Sequence, residues 1–518
     1  YEYDLAGRLK KAIYPDASSV QYQYNKYRKT SRMTDSQGIT NYTYNNRGWL
    51  TEVDGPEAND TVSDTYDNAG NRLSMTISGE GTYNYTYYNN DLLKTITNPQ
   101  TQVTTFNYDT AERCKSMVYA NGTKTEWSYY DNDNIQNLSV KDSTAQTLNS
   151  FTYEYNTLNQ LIKIIDKDNN TYNYTYDNAG QLVHEDKKDA GNIIVYYRDY
   201  TYDPAGNRIS EIQDGQNIAY NYNAGNQLIL RALLMNTTTY TYNANGNLTT
   251  ETSFVSGVKN YTYDYENRLT NVSLPGGAYE NYTYAGDGRR IAVNTNGNVV
   301  KYIYDAGLPI IERDAAGTTL TAYTRIPGAP GGIGGMVSST DGVQTQYYHC
   351  SHLGNVNQIT DAAATVVQTY DYDAFGNVVS ETGSLTNEYK YKTKETSPNT
   401  GMVYFGARYY NPVIGRFITP DPLGMIDGPN MYLYCGNDSV NSFDAWGLQE
   451  KNIVGIGERI KEGIKAALDA FWPLPPITLT ELAGETAKVA CDVIQHYKDL
   501  DEMFEKVEFQ LNRGKNNE

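Results

Sequence analysis

A short phrase, aromatic–any–aromatic–Asp/Asn followed by a glycine-containing turn, recurs along most of this chain. One copy reads Tyr200-Thr-Tyr-Asp-Pro-Ala-Gly-Asn-Arg-Ile, and others begin at Tyr174, Tyr240 and Tyr261. The spacing is about 20 residues, a period that marks an array of small units stacked on one another. Side chains alternate along a strand, so Tyr200 and Tyr202 face the same way. Asp203 can then accept local backbone hydrogen bonds, Gly206 can take the positive φ of a tight turn, and Ile209 starts the return strand. Each unit is a β-hairpin too small to bury its own face, so it must stack on its neighbours. The pattern runs from Tyr1-Glu-Tyr-Asp to Tyr370-Asp-Tyr-Asp, and spacing alone predicts a stacked, mainly β array.

The composition agrees. The chain has 51 Tyr against 10 Phe and 4 Trp, and Tyr and Thr suit half-buried strands while Asn and Gly suit turns. Uniformly spaced tyrosines read as cross-strand packing and not as sugar platforms, which need a local cluster. A net charge of −19 argues against nucleic acid as a partner of the repeats. No apolar run is long enough for a transmembrane segment and no signal peptide is evident. Tyr1 already lies inside a repeat, so the chain is expected to be a piece of a longer one whose export signal lies elsewhere. Cys114, Cys350, Cys435 and Cys491 form no C-x-x-C pair and read as free thiols.

From Tyr302 the repeats degrade. Pro327–Gly335 is glycine-rich, but no helical pattern follows it, so it reads as a turn with close backbone approach and not as a phosphate loop. His349, Cys350 and His352 lie too close together on one probable strand for all to face one ion, so no metal and no cofactor are expected.

The stretch 401–448 carries the chemistry. It contains Gly406-Ala407-Arg408-Tyr409-Tyr410, Gly415-Arg416-Phe417, Asp421-Pro422-Leu423-Gly424, Asn430-Met431-Tyr432-Leu433-Tyr434 and Asp444-Ala445-Trp446-Gly447-Leu448. These motifs, in this order, resemble the Rhs-associated core of bacterial YD-repeat (Rhs) polymorphic toxins and of toxin-complex C components, and the upstream repeats resemble their YD repeats. The resemblance covers residues 1–448. It implies a spiralling β-sheet shell, a hollow cocoon, with the core closing one end. It also implies an intramolecular aspartic protease that cuts after the final Leu and frees a variable C-terminal segment.

On that reading Asp421 and Asp444 are the catalytic pair. An aspartic protease needs two carboxylates close enough to share one proton, one acting as base towards water and the other polarising the scissile carbonyl. Arg416 is expected to hold one carboxylate or to stabilise the oxyanion. The expected cleavage site is Leu448–Gln449. Asp373, Asp427 and Asp438 rank lower, because none lies in a matching motif. The family's closing motif has proline after the aspartate, and here Ala445 stands in its place, which removes a φ constraint beside Asp444.

After Leu448 the composition shifts to Glu, Lys, Ala, Ile and Leu. Ile453, Ile456, Ile460 and Ile464 recur at helical spacing, and Thr478-Leu-Thr-Glu481 resembles a capping box before a second apolar stripe. The expected organisation is therefore a YD-repeat shell over 1–300, degenerate repeats and core over 301–448, and a short α-helical cargo over 449–518. The resemblance adds partners: the chain's own C-terminal segment as cargo, a secretion apparatus or N-terminal plug, and an immunity protein. It implies a secreted or cell-surface location. The alternative is a non-catalytic YD-repeat adhesion scaffold on the cell surface, which has no use for the two aspartates.

Overall fold

The computed structural model describes residues 1–234 and 236–448, together with the backbone of 450–452. Gln449 and the expected helical segment beyond 452 lie outside the described residues. Among the described residues, 36 strands form one sheet. Each strand from Glu2–Tyr3 to Val378–Gly383 pairs antiparallel with the next in the chain, as Thr171–Tyr176 does with Leu182–Lys188 and Ile194–Tyr202 with Arg208–Gln213. No helix among the described residues is long and apolar enough to cross a membrane.

The repeat builds this sheet as its residues dictate. Asp203 Oδ1 accepts hydrogen bonds from the Ala205 and Asn207 amides at 2.9 Å, and Gly206 sits at φ 77°. The register slips by one between Thr201 and Tyr202, a bulge that tightens the turn and increases the local twist. The first tyrosine is buried in the units that begin at Tyr200, Tyr220, Tyr240 and Tyr261. The hydroxyl of the second reaches back to the preceding unit: Tyr202 to the Leu182 carbonyl at 2.8 Å, Tyr222 to Arg208 at 2.9 Å, Tyr242 to Leu228 at 3.0 Å and Tyr263 to Leu248 at 2.7 Å. One phenol thus joins each hairpin to the last. Tyr242→Phe should lower stability by about 1 kcal/mol, read as a lower urea midpoint, because it removes this donor from the carbonyl of the buried Leu228.

The sheet also winds back onto its own earlier strands. Tyr22 Oη donates to the Gly286 carbonyl at 2.7 Å and Tyr119 Oη to Tyr348 at 2.7 Å. Arg72 forms a two-pronged ion pair with Asp305 at 2.6 and 2.9 Å. Apolar side chains fill the same seam, with Phe106 and Ile96 packed in one cluster with Ile303, Ile311 and Val337.

Past Val378–Gly383 the chain changes character. Four short strands, Glu395–Thr396, Val403–Tyr404, Tyr409–Asn411 and Arg416–Phe417, make a small antiparallel sheet. Tyr391, Phe405, Tyr410, Phe417 and Tyr434 stack in its core, with the Tyr410 and Tyr434 rings 4.3 Å apart. This unit is fastened to the turns of the repeats: Asn430 donates to the Ala205 carbonyl (3.0 Å), Asn437 to Gly206 (2.7 Å) and Tyr432 to Gly246 (2.8 Å). The repeat turns therefore position the core.

Candidate active site

The site forms where the last described segment, 442–448, crosses the core. Ser442–Asp444 is a short strand, paired antiparallel with Glu450–Asn452 in a register that sets Asp444 opposite Glu450. The chain therefore doubles back within the stretch that holds the Leu448–Gln449 link. Asp444 Oδ1 caps this reversal, accepting the amides of Trp446 (3.1 Å), Gly447 (2.7 Å) and Leu448 (3.0 Å).

Three buried cations hold carbonyls of this segment and of the turn just before it. Lys392 Nζ donates to Ser439 and Ser442 at 3.1 and 3.2 Å, Lys394 Nζ to Ala445 at 2.7 Å and Arg408 Nε to Gly447 at 2.5 Å. The Ala407 amide donates to the Trp446 carbonyl at 2.9 Å. Ala445 thus sits in a clamped backbone without proline's ring. The glycine-rich loop supplies the close approach its composition suggested. Gly331, at φ 54°, lies against Ala445 so tightly that a Cβ would run into the Ala445 carbonyl, and its own carbonyl accepts from Lys394 Nζ at 2.6 Å. Gly331→Ala should push the 444–448 segment off its seat and destabilise the core by about 1–3 kcal/mol, the scale of overpacking in a close-packed interior. A lowered urea midpoint checks this.

Asp421 and Asp444 come together across Arg408. One guanidinium nitrogen lies 2.6 Å from Asp421 Oδ2 and 3.3 Å from Asp444 Oδ2. The Arg408 guanidinium also lies 3.7 Å from the Phe417 ring centroid, and both aspartates are buried. Asp421 Oδ1 accepts the Leu423 amide at 2.8 Å. Burial outweighs the pull of Arg408 and pushes the Asp421 carboxyl up to about 6, with Asp444 and Asp427 adding like charge. Arg408 itself is lowered by desolvation, against the attraction of the two aspartates.

Arg416, the arginine singled out from its place just before Asp421, is directed elsewhere. Its guanidinium bonds the Asn226 carbonyl at 2.7 Å and the Asn207 and Asn430 side chains at 3.5 and 3.4 Å, between the Tyr222 and Tyr432 rings. It joins core to shell, and the cation at the carboxylates is Arg408. The physical reason lies in strand pairing. Arg416 opens its strand opposite Asn411, whereas Arg408 precedes Tyr409 at the end where the 444–448 segment crosses.

The lower-ranked carboxylates have structural partners. Asp373 accepts from Phe375 and Asn377 in its own turn, and Asp438 accepts from Asn441. His349 is buried against Tyr119, bonds Thr360 at 3.0 Å and is pushed down to about 3 by desolvation; His352 packs at a tilt against the Tyr153 ring. Cys114, Cys350 and Cys435 are free thiols; Cys491 lies outside the described residues.

Comparison with known proteins supplies the rest. A family model described as the teneurin YD-shell matches residues 150–428, over half of the chain, and an RHS repeat model matches 87–134. The chain belongs to the Rhs/YD-repeat family of polymorphic toxins. It is related within that family to the C components of toxin complexes. It is similar to the tRNA3(Ser)-specific nuclease WapA of Bacillus spizizenii, with 30% identity over 301 residues, 56% of this chain and 12% of that protein. It is also similar to double-stranded DNA deaminase toxin A of Burkholderia cenocepacia, with 24% identity over 338 residues, 58% of this chain and 22% of that one. The chain thus spans a minor part of the length of these curated relatives. Among solved structures, the Photorhabdus luminescens Tc holotoxin pore carrying a TccC3 mutation shares the fold at a TM-score of 0.58 and 18% identity, over 88% of this chain and 28% of that one.

Proposed function

We propose that this YD-repeat chain is the encapsulating shell of a polymorphic toxin that cuts its own backbone once, between Leu448 and Gln449, and sequesters the segment that follows. One observation carries the proteolytic part: a single arginine touches two buried aspartates beside the backbone reversal that holds that link. Two relatives with different named activities, a tRNA nuclease and a DNA deaminase, match 56% and 58% of the chain. That favours a container role for the common part, with the activity residing elsewhere. The sheet's return onto its own strands suits a wall, and the expected setting is export from a bacterial cell with an immunity protein for the producer.

In the proposed reaction Asp444 is the ionised partner. It takes a proton from water as the water oxygen adds to the Leu448 carbonyl carbon. Asp421, with its raised pKa, gives its proton to the developing oxyanion. Collapse breaks the C–N bond, the proton taken by Asp444 passes to the Gln449 nitrogen, one hydroxyl of the diol returns its proton to Asp421, and Leu448 keeps a carboxyl group. Arg408 holds both carboxylates and, through the Gly447 carbonyl, the peptide one residue before the bond that is cut. Because the substrate belongs to the same chain, effective molarity replaces catalytic power and one turnover suffices. Recovery of residues 1–448 and 449–518 as separate chains is the test. An adhesion scaffold would remain one chain.

A further inference from the structure

Lys394 is a buried lysine that the proposed chemistry does not use. Its ammonium lies between the Phe405 and Trp446 rings, 5.5 and 5.2 Å from their centroids, and its hydrogen bonds run to two carbonyls, Gly331 at 2.6 Å and Ala445 at 2.7 Å. A buried cation normally pairs with a carboxylate. This one instead ties a loop of the shell wall to the residue directly after Asp444. The charged groups facing it are Asp444 and Arg325. Desolvation, aided by Arg325 and opposed by Asp444, lowers it to about 7.

We propose that Lys394 is a positioning residue for self-cleavage, a clamp that holds the 444–448 segment against the Gly331 loop so that the Leu448–Gln449 bond faces the two aspartates. The inference rests on the proteolytic reading above. The clamp grips when charged, because an ammonium offers donors to both carbonyls and a neutral amine offers weaker ones. Its folded-state pKa is depressed, so the grip is present below about pH 7 and weakens as pH rises through that value. Asp421 loses its proton near pH 6. Cleavage should therefore decline with the steepness of one lost proton above about pH 6, and of two above about pH 7.

The experiment uses the full chain, held in denaturant and diluted into buffers of graded pH, with cutting followed on gels. The variants are Lys394→Met and Asp444→Asn. The expected result is that Asp444→Asn stays whole, while Lys394→Met is cut on the order of 10²-fold more slowly and keeps only the single-proton decline. If Lys394→Met matches the unaltered chain in rate and pH profile, the clamp is overturned and the proteolytic reading stands. If Asp444→Asn is cut as fast as the unaltered chain, the proteolytic reading itself falls. Should Lys394→Met fail to fold, the unaltered chain's profile decides: a one-proton decline throughout overturns the clamp and a two-proton decline supports it.

Discussion

Asp444→Asn is expected to leave residues 1–518 as one covalent chain where the unaltered protein yields two. The substitution is close to isosteric. An asparagine oxygen can still accept the Trp446, Gly447 and Leu448 amides that Asp444 Oδ1 accepts, so the reversal should keep its shape. What disappears is the negative charge and the ability to take a proton from water. Loss of a general base costs about 10²–10⁴-fold in rate, enough for purified protein to arrive uncut. Asp421→Asn should behave alike for the complementary reason, because the amide has no acidic proton for the oxyanion. Intact-mass measurement reads both, and a circular dichroism spectrum matching the unaltered chain separates lost chemistry from lost folding. Either variant cutting at the original rate would remove that residue from the mechanism.

The second large effect separates two arginines that look alike in the sequence. Arg408→Met should abolish cutting and also destabilise the core, because it strands two buried carboxylates and removes the arginine bonds to the Gly447 and Met431 carbonyls. Removing one partner of a buried charge cluster costs about 3–5 kcal/mol. Asp421, freed from the cation that lowers it, should then titrate higher still, so part of the stability should return as pH falls and Asp421 becomes neutral. Arg416→Met loses the bond to the Asn226 carbonyl and the stacking between Tyr222 and Tyr432, yet the carboxylates keep Arg408. It should lower the thermal midpoint and still cut. Comparing cut fraction and melting temperature for the pair shows which guanidinium serves the reaction. Uncut Arg416→Met beside cut Arg408→Met would reverse the roles assigned here.

The contrast between these arginines shows what the sequence could and could not convey. The repeat was legible because its information is local: alternation fixes the tyrosine faces, and Asp203 and Gly206 fix the turn within four residues. The two aspartates were legible as motifs. Arg408 also stood inside a recognisable motif, Gly406 to Tyr410, but nothing local connects it to acids 13 and 36 residues further on. Proximity in sequence favoured Arg416, and strand pairing then directed Arg416 to the shell turns at Asn207 and Asn226. Lys392 and Lys394 gave no sequence signal of their role, because their partners are carbonyls of remote residues. The Pro327–Gly335 loop was readable as a place of close approach, while its partner, Ala445, became known only from the fold.

The central claim is that water, directed by two acids, opens one peptide bond of this chain. It is tested most directly by sequencing the ends of the purified products by mass spectrometry. The account predicts a chain ending in a free carboxylate on Leu448 and a second beginning with a free amine on Gln449, both absent when Asp421 or Asp444 is asparagine. An unbroken peptide spanning Leu448 and Gln449 in freshly folded, unaltered protein would contradict it.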